Sequence, residues 1–394
     1  MRTYTVLRDL SDVSTREPFG GVGALGVPAL GPVGLRIDVE RLDKGDVRTL
    51  ARDPEVRALA PVMPTTLIRP VDAEGTAEGT AAGIAWGVSA VGADRGLRSG
   101  AGVVVAVLDT GIDATHPAFT GVTLTQRDFS GSGDGDKQGH GTHCAGTVFG
   151  RDVDGTRIGV APGIERALIG KVLGDDGSGD SDMIFRGIQW ALESGAQVIS
   201  MSLGFDFPGL VKQLVDQDWP ADLATSVALE AYRANLRMFD ALMGVARSRE
   251  PFGGGCVVVA AAGNESRREV DPDYEIAVSI PAAAEGVVSV GALGQSDDGL
   301  QIASFSNTFP QVSGPGVGVL SAKAGGGLAS LSGTSMATPH VAGLAALWWE
   351  ELAASAAPLS ARAATAQLMA SATTVGLAAD VDPADRGLGL VQAP

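Results

Sequence analysis

Val103-Val104-Val105-Ala106-Val107-Leu108-Asp109-Thr110-Gly111 decides the fold class. The apolar run is mostly β-branched and does not alternate with polar residues. That is the pattern of a strand buried on both faces of a parallel sheet. It ends on a carboxylate and a turn. Runs of the same kind recur at 168–173, 198–203, 256–261 and 287–290, with helical spacing at 184–194 and 339–352. Strands alternating with helices predict an α/β domain around a parallel sheet. Sites in such folds gather at the carboxyl ends of strands, where Asp109 and Asn264 both fall.

Two further segments give Asp109 a chemical meaning. Gly139-His140-Gly141-Thr142-His143 opens one predicted helix, and Gly333-Thr334-Ser335-Met336-Ala337-Thr338-Pro339-His340 opens another. A serine hydroxyl does not ionise at neutral pH. It needs an imidazole to take its proton during attack, and the imidazole needs a carboxylate to fix its tautomer. The small residues around Ser335 leave room for a substrate backbone, and a helix N-terminus adds partial positive charge and free N–H groups.

The chain order Asp…His…Ser is that of subtilisin, and from about residue 82 onward the chain resembles the subtilisin-like serine proteases. The resemblance implies a three-layer α/β fold with a parallel central sheet. It implies a serine endopeptidase that works through an acyl-enzyme, with Asp109, His140 and Ser335 as the triad. Asn264, in Ala260-Ala261-Ala262-Gly263-Asn264-Glu265, would donate to the oxyanion. Gly177-Ser178-Gly179 on one side and Ser202-Leu203-Gly204 on the other would bind an extended peptide through main-chain bonds. Ala261, Gly263 and Glu265 would line the primary pocket, and Ser181 stands where relatives carry an aromatic residue. His143 receives a structural role. No cofactor is required for the chemistry. A structural calcium ion is expected at Asp113, with Asp152 and Asp154 either as further oxygen ligands or as plain turn residues.

Residues 1–75 read as a separate small α+β module. A strand at 35–39, a helix at 44–52 and a strand at 55–62 resemble the family's inhibitory propeptide in position and pattern; an unrelated extension is the alternative. The expected inhibitor is intramolecular, with 63–68 led into the cleft as a product-like strand. A small, polar, Gly-rich linker at 76–84 is the expected point of self-cleavage, and the catalytic domain follows at 85–394. Within it, helical spacing at 224–245 predicts an inserted hairpin in 205–255, placed near the cleft or on a remote surface.

Composition narrows the rest. The 394-residue chain carries a net charge of −17, which repels phosphate backbones and anionic lipid and leaves a peptide or protein as the expected partner. Charges break up the first residues, so an export signal is not expected and a cytoplasmic location is. The two cysteines, Cys144 and Cys256, are expected as free thiols. The competing reading is a catalytically silent binding protein on a protease fold; a scaffold has no need of Asp109, His140, Asn264 and Ser335 together.

Overall fold

The computed structural model describes residues 1–10, 34–71, 83–248, 250, 255–356 and 358–394. The N-terminal module is a three-stranded antiparallel sheet in which β1 (Arg2–Asp9) lies between β2 (Leu35–Leu42) and β3 (Val56–Pro61). Helix α1 (Lys44–Leu50) joins β2 to β3. Its start is fixed by a reciprocal cap: Asp43 accepts from the Gly45 and Asp46 amides, and Asp46 accepts from the Asp43 amide. The predicted strand–helix–strand is therefore present. The sequence reading missed β1, whose residues show no clean alternation because the successive Thr5, Val6 and Leu7, which point to opposite faces, are all buried.

After β3 the chain forms β4 (Pro64–Leu67). The expected linker at 76–84 falls almost wholly outside the described residues. Helix α2 (Trp86–Ala90) then leads into β5 (Val104–Asp109), β6 (Thr123–Asp128), α3 (His140–Phe149), β7 (Arg166–Lys171), β8 (Ser178–Asp180) and α4 (Ser181–Glu193). Next come β9 (Val198–Met201), β10 (Leu203–Phe205), α5 (Phe207–Val215), α6 (Ala221–Ser248) and β11 (Val257–Ala261). The chain closes with β12 (Val287–Ser296), β13 (Gly299–Ile302), β14 (Val312–Pro315), β15 (Val319–Ala322), β16 (Leu328–Leu331), α7 (Thr334–Ala353), α8 (Ala361–Ala370) and α9 (Pro383–Arg386).

The central sheet runs β13-β12-β11-β9-β5-β7-β6, with β14 also on β12, and all its pairings are parallel except β12–β13. Strand β5 shows why its sequence does not alternate. Val105 and Val107 join the core beneath α3 and α7, whereas Ala106 and Leu108 join the core beneath α4 and α6. Successive side chains point to opposite faces, and both faces are covered, so every position is apolar. This is the predicted three-layer arrangement.

Helices α5 and α6 form the predicted inserted hairpin between β10 and β11. The N-terminal module does not stand apart: Leu7, Leu35, Ile37, Ala60 and Met63 belong to the same continuous core as Phe185, Ile188 and Phe239. Among the described residues no helix is long and apolar enough to cross a membrane.

Candidate active site

Asp109 ends β5 at the carboxyl edge of the sheet, and His140 opens α3. Asp109 Oδ1 lies 2.8 Å from His140 Nδ1 and also accepts the Thr110 amide at 2.7 Å. Both side chains are almost fully buried, with 1% of each exposed. What aligns them is Asp136, which the sequence reading did not single out. Its carboxylate accepts the amides of Gly139 and Thr142 and the hydroxyls of Thr142 and Thr110. Thr110 in turn accepts the Gly141 amide. One buried acid thus caps the first turn of α3 and ties it to the residue after Asp109. The available signal was an acid just ahead of a predicted helix start.

Burial opposes charge on His140, but the neighbouring Asp109 carboxylate outweighs it and holds the imidazole pKa well above the ordinary histidine value. His143, one turn along α3, faces the other way chemically. Burial and the neighbouring His140 lower its pKa to about 3. Its Nε2 meets the carbonyls of Val319 and Ala329, tying α3 to β15 and β16. His116 and His340 are likewise bonded to backbone, at Gly327 and Met336.

Ser335 sits in the first turn of α7. Its carbonyl accepts the Ser202 hydroxyl at 3.1 Å and lies 3.5 Å from Cys144 Sγ, which is 3.7 Å from His140 Nδ1. Cys144 therefore lies beneath the imidazole and joins α3 to α7. It is a free thiol, as is Cys256, and burial pushes its pKa up. Asn264 follows β11. Its Oδ1 accepts the amide and hydroxyl of Thr334, so Nδ2 points outward into the cleft. This approach needs the glycine at 333: a Cβ there would stand 2.9 Å from Asn264 Nδ2.

The cleft is filled by the chain's own β4. It pairs antiparallel with β10 on one side, Leu203 opposite Leu67 and Gly204 opposite Thr66. On the other side it pairs with β8, Gly179 opposite Thr65 and Ser178 opposite Thr66. The Leu67 amide donates to Gly177 O at 2.8 Å. Gly177, Ser178, Gly179, Leu203 and Gly204 thus contact β4, while the Ser202 hydroxyl bonds the Ser335 carbonyl. Beyond β4, Ser335 Oγ donates to Ile68 O at 3.0 Å, Asn264 Nδ2 donates to Arg69 O at 2.9 Å, and the Val71 amide donates to Ser332 O at 2.8 Å. His140 Nε2 has no hydrogen-bond partner among the described residues. The Ile68 side chain lies against Gly204, on a wall that also holds Ser279 Oγ.

Other expectations are altered. Ser181, where an aromatic residue stands in relatives, bonds both backbone groups of the fully buried Met63 through its amide and hydroxyl. Glu265 is engaged by the Asn307 amide at 2.7 Å. Gly263 donates to Thr334 Oγ1, while Ala261 is buried within β11 in register with Val290. Among the described residues Asp113, Asp152 and Asp154 do not gather into a three-ligand group. Asp113 accepts from Thr115 and from the Gly325 amide, with both its oxygens in use. Asp152 and Asp154 lie in a tight turn closed by Val153 and Thr156. Among the described residues the one group of three acid, histidine or cysteine side chains with ligand spacing is Asp109, His140 and Cys144.

Comparison with known proteins agrees with this geometry. The Subtilase family description matches residues 100–388. An intracellular serine protease of Paenibacillus polymyxa is 35% identical over 254 residues, covering 63% of this chain and 67% of the relative. A thermostable alkaline protease of Halalkalibacterium halodurans is 34% identical over 315 residues, 78% of this chain and 70% of the relative. Subtilisin DY of Bacillus licheniformis is 35% identical over 280 residues, 70% of this chain and 86% of the relative. The chain belongs to the subtilase family and is a serine endopeptidase, a hydrolase of peptide bonds that needs no cofactor for its chemistry.

Proposed function

We propose that Ser335 is the nucleophile, His140 the base and Asp109 the group that orients it, and that residues 1–75 are an intramolecular inhibitor. The supporting observation for the triad is the buried Asp109–His140 contact at 2.8 Å beside the first turn of α7. In an open cleft, Ser335 Oγ attacks the substrate carbonyl carbon while His140 Nε2 takes its proton. Asp109 holds Nδ1–H and stabilises the imidazolium. The Asn264 amide meets the negative oxygen of the tetrahedral intermediate. Its collapse expels the amine, which receives the proton from His140, and leaves an acyl-enzyme. Water, deprotonated by His140, then releases the acid. Gly177–Gly179 and Ser202–Gly204 hold the peptide as a third strand.

The inhibitor reading rests on how Ile68 and Arg69 lie. The hydroxyl of Ser335 and the amide of Asn264 reach two successive carbonyls, Ile68 O and Arg69 O. Nucleophile and oxyanion donor must act on one carbonyl group, so this segment binds as a substrate does without being turned over. Release follows a cut between Ile68 and Ala85, made by another copy of the enzyme. A cytoplasmic location accords with the two free thiols and with the name of the Paenibacillus polymyxa relative.

A fluorophosphonate reports both parts. Wild-type protein is expected as two fragments with Ser335 modified, and Ser335→Ala protein as one unlabelled chain. Turnover of Ser335→Ala should fall about 10⁶-fold, the loss known for the equivalent group in subtilisin. Labelling at any other residue, or full activity in an uncut chain, overturns the assignment.

A further inference from the structure

The cleft segment marks out the pocket for the residue ahead of the cleaved bond. Ser335 Oγ meets Ile68 O, so Ile68 stands where that residue stands in a substrate. Its side chain is buried, with 3% of the residue exposed. Yet Ile68 joins neither of the two apolar cores, although its neighbours Leu67 and Leu203 join one. An aliphatic side chain buried outside the apolar clusters has peptide groups and polar side chains around it.

The wall of the pocket shows one of these polar groups. A Cβ on Gly204 would stand 3.4 Å from Ile68 Cγ1, 3.7 Å from Ile68 Cδ1 and 3.6 Å from Ser279 Oγ. The Ser279 hydroxyl thus shares the pocket with the far end of the Ile68 side chain. It is buried and has no hydrogen-bond partner among the described residues. The backbone that carries it is fixed. The Ser279 amide donates to Ala262 O at 3.1 Å, and its carbonyl accepts the Ala283 amide at 2.9 Å. The Tyr232 hydroxyl on the inserted helix α6 accepts the Ile280 amide at 3.2 Å and braces the same stretch.

A hydroxyl buried without a partner is unfavourable, and an aliphatic occupant leaves it so. An occupant with a polar end removes the penalty. A charged end would itself be desolvated, and the acid at the rim, Glu265, is already engaged by Asn307. We propose that Ser279 determines specificity, and that the primary pocket selects a side chain ending in a neutral carboxamide ahead of the cleaved bond. A carboxamide carries both donor and acceptor, so it answers the hydroxyl whichever way the proton points. Asparagine fits best, because its terminal atoms lie at the δ position that Ile68 Cδ1 reaches; glutamine is next. The proposal rests on the reading of Ser335 as the nucleophile. The chain's own Ile68 fills the pocket and leaves Ser279 unanswered.

The test uses the processed enzyme, with active sites counted by fluorophosphonate. Peptides of one sequence differ only ahead of the cleaved bond, in pairs of nearly equal shape: asparagine against leucine, and glutamine against methionine. A lysine peptide is added. The wild type should prefer asparagine over leucine by about tenfold or more in kcat/KM, because a site with an unpaired buried group rejects the analogue that cannot pair with it. In Ser279→Ala that preference should fall about tenfold, chiefly through the asparagine peptide. Ser279→Thr keeps a hydroxyl and should keep part of the preference, which a mere change of packing would not give. An asparagine-to-leucine ratio that is the same in wild type and Ser279→Ala overturns the proposal, as does a wild type that prefers leucine or lysine. If no peptide is cut and Ser335 takes no label, the nucleophile reading fails and the pocket proposal with it. Hydrolysis with Ser335 labelled and the ratio unmoved fails the pocket proposal alone.

Discussion

His140 carries two consequences of one contact. With His140 as the proposed base, catalysis needs the neutral imidazole, so activity falls as pH drops through its pKa. Because Asp109 raises that pKa above the ordinary value of about 6.5, the acid limb of the kcat profile is expected above pH 6.5. Asp109→Asn should move the limb down and lower kcat by about 10⁴; a limb that stays in place excludes Asp109 as the cause. The same raised pKa contributes stability that is fully present below about pH 6.5 and is lost as pH rises through the folded-state value. Cys144 sits under the ring but carries no charge. Cys144→Ala should keep activity within a few-fold, as an apolar swap of similar volume does, and should abolish inhibition by mercurials. A variant that remains mercurial-sensitive places the reactive group elsewhere.

Helix α3 depends on close approach to the turn after β5. A Cβ on Gly141 would stand 2.2 Å from Gly111 O, so no side chain fits without moving the helix. Gly141→Ala should cost about 1–3 kcal/mol, the usual range for overpacking, and should lower kcat more than it changes KM, because His140 shifts from Asp109 while the cleft edges remain. Thermal unfolding and steady-state kinetics on the same preparation check both parts; unchanged kcat would show that α3 tolerates the shift. The long elements were legible in the sequence. Strand β5 and helices α3, α4, α6 and α7 stand within a few residues of their predicted places, since each buries a wide apolar face. Strand β1 was not legible, because it lacks alternation; β4 falls within the 63–68 stretch expected as a strand in the cleft, and its pairing with β8 and β10 holds it there.

At the scale of the molecule the N-terminal module, its cleft segment and the catalytic domain form one body with a shared core. The segment that occupies the site runs on past Ser335 to Val71, where the amide meets Ser332 O. While β4 stays paired, the described chain up to Val71 is held along the site. Processing is therefore expected to be carried out by a second copy. The rate per molecule should rise in proportion to protein concentration, followed by gel densitometry from a latent stock. A rate independent of concentration would assign the cut to the same chain.

The sequence by itself determined the chemistry and the layers. Asp109, His140, Asn264 and Ser335 are set in motifs whose glycines and small residues have few other uses, and the unbroken apolar runs require a sheet covered on both faces. Only the tertiary structure decided the rest. Asp136 became the anchor of α3 because folding brings Thr110 and the helix N-terminus to the same carboxylate, a meeting that no local pattern encodes. Folding also gives Asp113 partners in Thr115 and the Gly325 amide and sets Asp152 and Asp154 in the turn closed by Val153 and Thr156. The site is closed because Ile68 and Arg69 reach Ser335 and Asn264 across 267 and 195 residues of chain, separations bridged by β4 pairing and not by any property of those two residues.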